Sequence, residues 1–173
     1  MIILGIDPGV ATTGYGIVKM LEKRKDQKDR YSCIEYGAIR TEPKTPMPER
    51  LKKIHKALAA LIKKNKPQAL TVENVYFFKN LKTAMPVSQV KGVILLNAAI
   101  ANIPVYEFTP LQIKMAMTGY GRAEKAQVQE MVKRELKLEG VLRPDDAADA
   151  LAAAICCGNF IKRTASPNPM APC

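Results

Sequence analysis

Residues 2–16 read IILGIDPGVATTGYG. Ile2, Ile3, Leu4 and Ile6 make a short apolar run of the kind buried on both faces of a sheet, and Asp7 stands where that strand must stop. Asp7-Pro8-Gly9 is good turn chemistry: Asp accepts from nearby backbone N–H groups, Pro presets φ and Gly tolerates positive φ. TGYGIVKM, residues 13–20, then reads as a second strand, and a charged connection leads to a third, YSCIEYGAIRT, residues 31–41. Links this short imply antiparallel neighbours. A turn alone accounts for Asp7; a chemical role for it depends on the rest of the chain.

Residues 41–49 hold three prolines, and Leu51, Ile54, Leu58, Leu61 and Ile62 then recur at helical spacing, with Lys52, Lys53, Lys56, Lys63 and Lys64 over the remaining surface. ALTVENVYFF, residues 69–78, is strand-like. VSQVKGVILLNAAIANI, residues 87–103, predicts a long helix, apolar over so much of its circumference that a second subunit would cover it. A strand VYEF follows, then Thr109 and Pro110 as helix cap and first position, the loop TGYGR, and a helix from about Ala123 to Leu138. The last helix is expected from about Asp145 to Ile161, with a disordered tail, TASPNPMAPC, over residues 164–173. Three antiparallel strands followed by alternating helices and strands predict one α/β domain over residues 1–163, its mixed five-stranded sheet flanked by helices on both faces.

The 173 residues include 27 Lys and Arg against 16 Asp and Glu, a formal charge of +11. The surplus clusters in KMLEKRKDQKDR, KKIHKALAALIKKNK and GRAEKAQVQEMVKRELK, which favours a polyanionic partner such as nucleic acid, bound through phosphates and weakened by salt. The N-terminus lacks the pattern of a secretion signal and no run approaches membrane-spanning length, so a cytoplasmic protein is expected. Cys33, Cys156, Cys157 and Cys173 lack zinc-ligand spacing and read as packed thiols. His55, the lone histidine, lies in a lysine-rich helix and reads as a surface residue.

Glu73 repeats the pattern of Asp7: a carboxylate in an apolar run near a strand end. If strands one and four are parallel neighbours joined through a helix, both project from the carboxyl edge of the sheet, where ligand sites of open α/β sheets tend to lie. In RPDDAADALAAAI, Asp146 and Asp149 are three residues apart, roughly 300° of helical rotation, so they share a face. Ala150 and Ala153 are small enough to let that helix approach the sheet closely. Complementing the helix dipole would explain Asp145 and Asp146 but explains Asp149 poorly. Together, Asp7, Glu73, Asp146 and Asp149 would repel one another unless protonated or bridged by cations. All-oxygen ligands suit Mg²⁺ or Mn²⁺, and two such ions clamp the attacking water and leaving oxygen of a phosphodiester.

GIDPG with TGYG, VENVYF, GYGRAEKAQVQ and DDAADALA occur in that order across residues 1–161, and in this the chain resembles the bacterial RuvC family of Holliday junction resolvases. The resemblance implies a ribonuclease H-like fold, a homodimer, and paired symmetrical nicks in a four-way junction that leave 5′-phosphate ends, during recombination and repair. It puts the metal-binding carboxylates on Asp7, Glu73, Asp146 and Asp149, two Mg²⁺ among them, with Mn²⁺ as a substitute. Asp145 also falls roughly on the same face, and the three-residue spacing favours Asp146. Catalytic lysines fall on Lys114 and Lys125. Tyr76 and Phe77 match aromatics that stack on or wedge between bases, core packing being their ordinary alternative, and Lys79, Arg122 and Lys125 complete the implied DNA contacts. No nucleotide cofactor is implied, and a branch-migration helicase is the implied partner.

Other readings of the same residues are a ribonuclease H-like enzyme of different specificity and a junction-binding architectural protein with no catalysis. An actin-like ATPase shares the Asp-x-Gly turn but needs a second lobe and a second phosphate loop, for which the chain is too short.

Overall fold

The apolar run that opens the chain forms the central strand of a five-stranded sheet. The computed structural model describes residues 1–21, 30–74, 81–140 and 142–164. Its strands are β1 (Ile2–Asp7), β2 (Thr12–Met20), β3 (Tyr31–Arg40), β4 (Ala69–Glu73) and β5 (Val105–Phe108), in the order β3-β2-β1-β4-β5. β2 pairs antiparallel with β1, Asp7 opposite Gly14, and with β3, with a register shift between Ile17 and Val18. β4 lies parallel to β1, Ile6 beside Val72, and β5 lies parallel to β4, Glu73 beside Phe108. The parallel pair is reached through helix α1 (Met47–Asn65), as the short strand run and the lysine-rich amphipathic segment together predict.

Alternation along the strands sends side chains to two separate cores, which is why β1 is apolar up to its last residue, Asp7. Leu4, Ile6, Ile17, Leu70 and Val72 meet Ile54, Leu58 and Ile62 of α1 and Val90, Ile94 and Ala98 of α2 (Leu81–Ile100). On the other face, Ile3, Val18 and Ala69 meet α3 (Pro110–Thr118), α4 (Lys125–Leu136) and α5 (Asp145–Thr164) through Ile113, Val132, Leu151 and Ile155. Gly5 and Gly14 allow α5 to lie almost on the sheet: a methyl on Gly5 would collide with the Ala150 carbonyl, and one on Gly14 with the Asp146 backbone. Cys156 and Cys157 are packed thiols, their pKa values pushed up to about 12 by burial. Among the described residues, no helix is long and apolar enough to cross a membrane.

Several boundaries differ from expectation: α4 spans Lys125–Leu136 rather than Ala123 to Leu138, and α5 runs to Thr164 rather than Ile161. β4 ends at Glu73, and the stretch expected to extend it to residue 78 runs into residues 75–80, outside the described residues. α2 starts at Leu81, and Pro86 lies inside it rather than before it. As the sixth helical residue, beyond the first turn, Pro86 has no N–H to give to the helix, while its fixed φ still suits it. That helix stops at Ile100, short of the expected residue 103, because Asn102 turns left-handed (φ 53°) and the Ile103 N–H closes onto the Ala98 carbonyl at 2.9 Å. Thr109 caps α3 as expected, its Oγ1 accepting from the Gln112 N–H at 3.2 Å.

Candidate active site

The register of the two parallel strands builds the site. Ile6 and Val72 are partners and both face α1 and α2, so Asp7 and Glu73, one residue on, stand side by side on the opposite face. Neighbouring strands are about 4.8 Å apart, so both carboxylates enter one small volume at the carboxyl edge of β1 and β4. α5 lays its first turns over the same spot. Gly14, the partner of Asp7, is the residue whose missing side chain is replaced by Asp146, and Ala150 lies over Gly5 one turn further along. Asp149 is thereby directed to the same edge, and its carboxylate accepts from Lys125 Nζ at 2.9 Å. Asp145 points outward, 63% exposed, with Lys125 Nζ at 3.6 Å. Of the two, it is the Asp146 backbone that lies against Gly14, and the Asp146 charge acts on Asp7.

The electrostatics follow from this crowding. The Asp7 pKa is pushed up to about 7, first by burial and then by the fields of Glu73, Asp149 and Asp146, with Lys125 opposing. Glu73 is likewise raised by burial and by Asp149, against the fields of Lys125 and Lys114. Burial pulls the Lys125 ammonium down, but its bond to Asp149 and the charges of Asp149, Asp145 and Asp146 outweigh that and raise it. Lys114 on α3 and Lys125 at the first turn of α4 therefore flank the cluster from the helices packed beside α5.

An excess of half-buried oxygen donors, two of them with raised pKa values, suits a hard divalent cation in charge and in donor chemistry. Among the described residues no three His, Cys, Asp or Glu groups form a ready-made ligand set, and Asp149 is engaged by Lys125 Nζ at 2.9 Å.

Arg122 is exposed in the loop between α3 and α4, next to exposed Tyr120. Tyr76, Phe77 and Lys79 lie outside the described residues. His55 is partly buried on α1, whose core lies on the face of the sheet away from the carboxylates. Two features of the site escape the sequence patterns. Gly14 reads there only as part of a strand, although a glycine opposite Asp7 is the available sign of close helix contact. Lys91, a single charge in the apolar run of α2, bonds to Glu107 and to Asn74, the residue after Glu73, on the other face of the sheet.

A mixed sheet in this order, with an acidic cluster where β1, β4 and α5 meet and lysines around it, defines a ribonuclease H-like nuclease. Residues 3–157 match the family described as crossover junction endodeoxyribonuclease RuvC. The member from Desulforamulus reducens is 50% identical over 156 residues, 90% of this chain and 92% of that protein, and the one from Petrotoga mobilis 52% identical over 160 residues, 92% and 94%. The chain belongs to the RuvC family of crossover junction endodeoxyribonucleases. Thermus thermophilus RuvC superimposes with a TM-score of 0.86 at 32% identity, covering 95% of this chain and 97% of that one, and a second structure of it, in complex with Holliday junction substrate, gives the same score.

Proposed function

We propose that the chain is a homodimeric resolvase that cuts one phosphodiester in each of two opposing strands of a four-way DNA junction, leaving 5′-phosphate ends. The observation that carries this reading is the pairing of Asp7 and Glu73 on adjacent parallel strands beneath Asp146 and Asp149. The enzyme is metal-dependent in this reading, with Asp7, Glu73, Asp146 and Asp149 holding two Mg²⁺, or Mn²⁺ in their place. Those ions, when bound, supply activation of water and stabilisation of the leaving 3′-oxygen. The chain's own residues do the rest. A strand pair, and a helix that glycine contacts seat against the sheet, bring the four carboxylates to one edge of the sheet. Lys114 and Lys125 hold the scissile or neighbouring phosphates and offset developing negative charge. Arg122 and Lys79 bind phosphates alongside, while one of Tyr76 and Phe77 stacks on a base at the junction, worth roughly 1–3 kcal/mol per base.

The dimer is supported by α2. Met85, Leu96 and Ile100 are 71%, 55% and 66% exposed on it, and a methyl on Gly92 would touch nothing, so an apolar stripe with a flat centre is left for a second copy. We place the nuclease domain at residues 1–163 and the protein in the cytoplasm, with a branch-migration helicase as the partner that family likeness suggests.

The test is an end-labelled synthetic four-way junction, incubated with the protein in Mg²⁺ and in chelator, beside an Asp7→Asn variant. Paired symmetrical nicks that need both the metal and Asp7 are expected, with binding retained in the variant. Tight binding with no cutting in any divalent metal would refute the catalytic reading and leave an architectural protein; cutting of hybrids in preference to junctions would refute the substrate.

A further inference from the structure

Glu73 is the last residue of β4, a position where strands fray. The chain just beyond it is tied down twice. Asn74 N–H donates to the Phe108 carbonyl at 2.8 Å, which continues the β4–β5 ladder one step past Glu73. The Asn74 side chain is the second tie: its Oδ1 accepts from Lys91 Nζ at 3.3 Å, and Lys91 also donates to Glu107 Oε2 at 2.7 Å. Lys91 is only 21% exposed at its side chain, and Glu107 36%, so this is a partly desolvated contact rather than a solvated pair. Three separate elements, α2, β5 and the exit of β4, thus meet at the residue that follows the carboxylate.

Strand parity puts this contact on the far side of the sheet from the acidic cluster. Glu107 is the partner of Val72, and Val72 belongs to the core under α1 and α2, while Glu73 faces α5 with Phe108. Lys91 therefore touches neither the carboxylates nor anything bound to them.

We propose that Lys91 is a positioning residue for cleavage: bridging Glu107 and Asn74, it clamps the exit of β4 so that Glu73 is held beside Asp7. The proposal rests on the cleavage reading given above. Outer contacts that orient a site's acidic groups are commonly worth 10- to 100-fold in activity when removed, whereas an ion pair that served folding alone would move stability and leave the rate of the chemical step unchanged.

Two measurements on the full-length chain test it, using the parent, Lys91→Met and Lys91→Arg. The first is backbone amide exchange by NMR in chelator, which needs no activity. Lys91→Met is expected to raise exchange at Asn74 about tenfold while β1 and the rest of β4 keep their protection, and Lys91→Arg to restore most of it. The second is single-turnover cleavage of a four-way junction beside junction affinity. Lys91→Met is expected to cut at least about tenfold more slowly with affinity within about twofold of the parent, and Lys91→Arg to recover most of the rate. Unchanged exchange at Asn74, exchange rising throughout the sheet, a parental cleavage rate in Lys91→Met, or a loss confined to affinity each overturns the proposal. A parent that binds but does not cut refutes the reading of function instead, and the exchange data separate that outcome from a failed clamp.

Discussion

Replacing Asp7 with Asn should make the metal-free protein more stable at alkaline pH while abolishing cleavage. The fold raises the Asp7 pKa from 3.8 to about 7. A tenfold change in proton affinity is worth about 1.4 kcal/mol, so ionising Asp7 inside the fold costs on the order of 4 kcal/mol. Below pH 3.8 the carboxyl is protonated in folded and unfolded chains alike and no penalty arises. Between there and about 7 the unfolded chain releases its proton while the folded chain keeps it, so stability drains away as pH rises and the loss is complete above the folded value. Asn carries no such proton. For a chain of this size about 1 kcal/mol corresponds to roughly 2–4 °C in Tm, so the variant should melt about 10 °C above the parent at pH 8 in chelator, with the gap closing toward pH 4. The assay is thermal unfolding of both proteins across that pH range at fixed ionic strength. A gap independent of pH, or a variant that melts below the parent at pH 8, would refute the burial and repulsion that define the cluster. Mg²⁺ should raise the parent's Tm and narrow the gap, since a ligand that binds only the folded state stabilises it.

Three other perturbations probe separate parts of the molecule. Gly14→Ala puts a methyl into the Asp146 backbone rather than a flexible side-chain tip, so the start of α5 must shift; cleavage should fall roughly 100-fold for a folding cost of about 1–3 kcal/mol, measured by single-turnover rate and melting. Lys125→Met removes a contact to Asp149 in which the lysine is 51% exposed, so stability should change by less than about 1 kcal/mol. Cleavage should drop at least tenfold, and an unchanged rate would remove Lys125 from the catalytic set. Leu96→Asp charges a side chain that is 55% exposed on α2, and light scattering should then find monomers; a full dimer in solution would exclude this face as the pairing surface.

The local patterns of this sequence were sufficient for the element order, for the antiparallel start of the sheet and for helices on both faces, while the parallel pairing of β1 with β4 entered only as a condition that the structure meets. Alternation, helical periodicity, the Thr109 cap and the Asp-Pro-Gly turn act over a few residues, and neighbouring residues determine them. They were also enough to single out Asp7 and Glu73, because a charge at the end of a buried strand is visible without knowing what faces it. Element ends were less legible: the left-handed turn at Asn102 that stops α2 and the tolerance of Pro86 within it depend on backbone closure that apolar pattern does not report. What only the tertiary structure decided is which side chains share a volume. That Asp146 rather than Asp145 lies against Gly14, that Lys125 reaches Asp149 from another helix, and that Lys91 ties β5 to the exit of β4 all depend on packing between elements far apart in the chain. Spacing along one helix restricts such choices to a face, and close contact with the sheet, made possible by glycine, sets where that face lies.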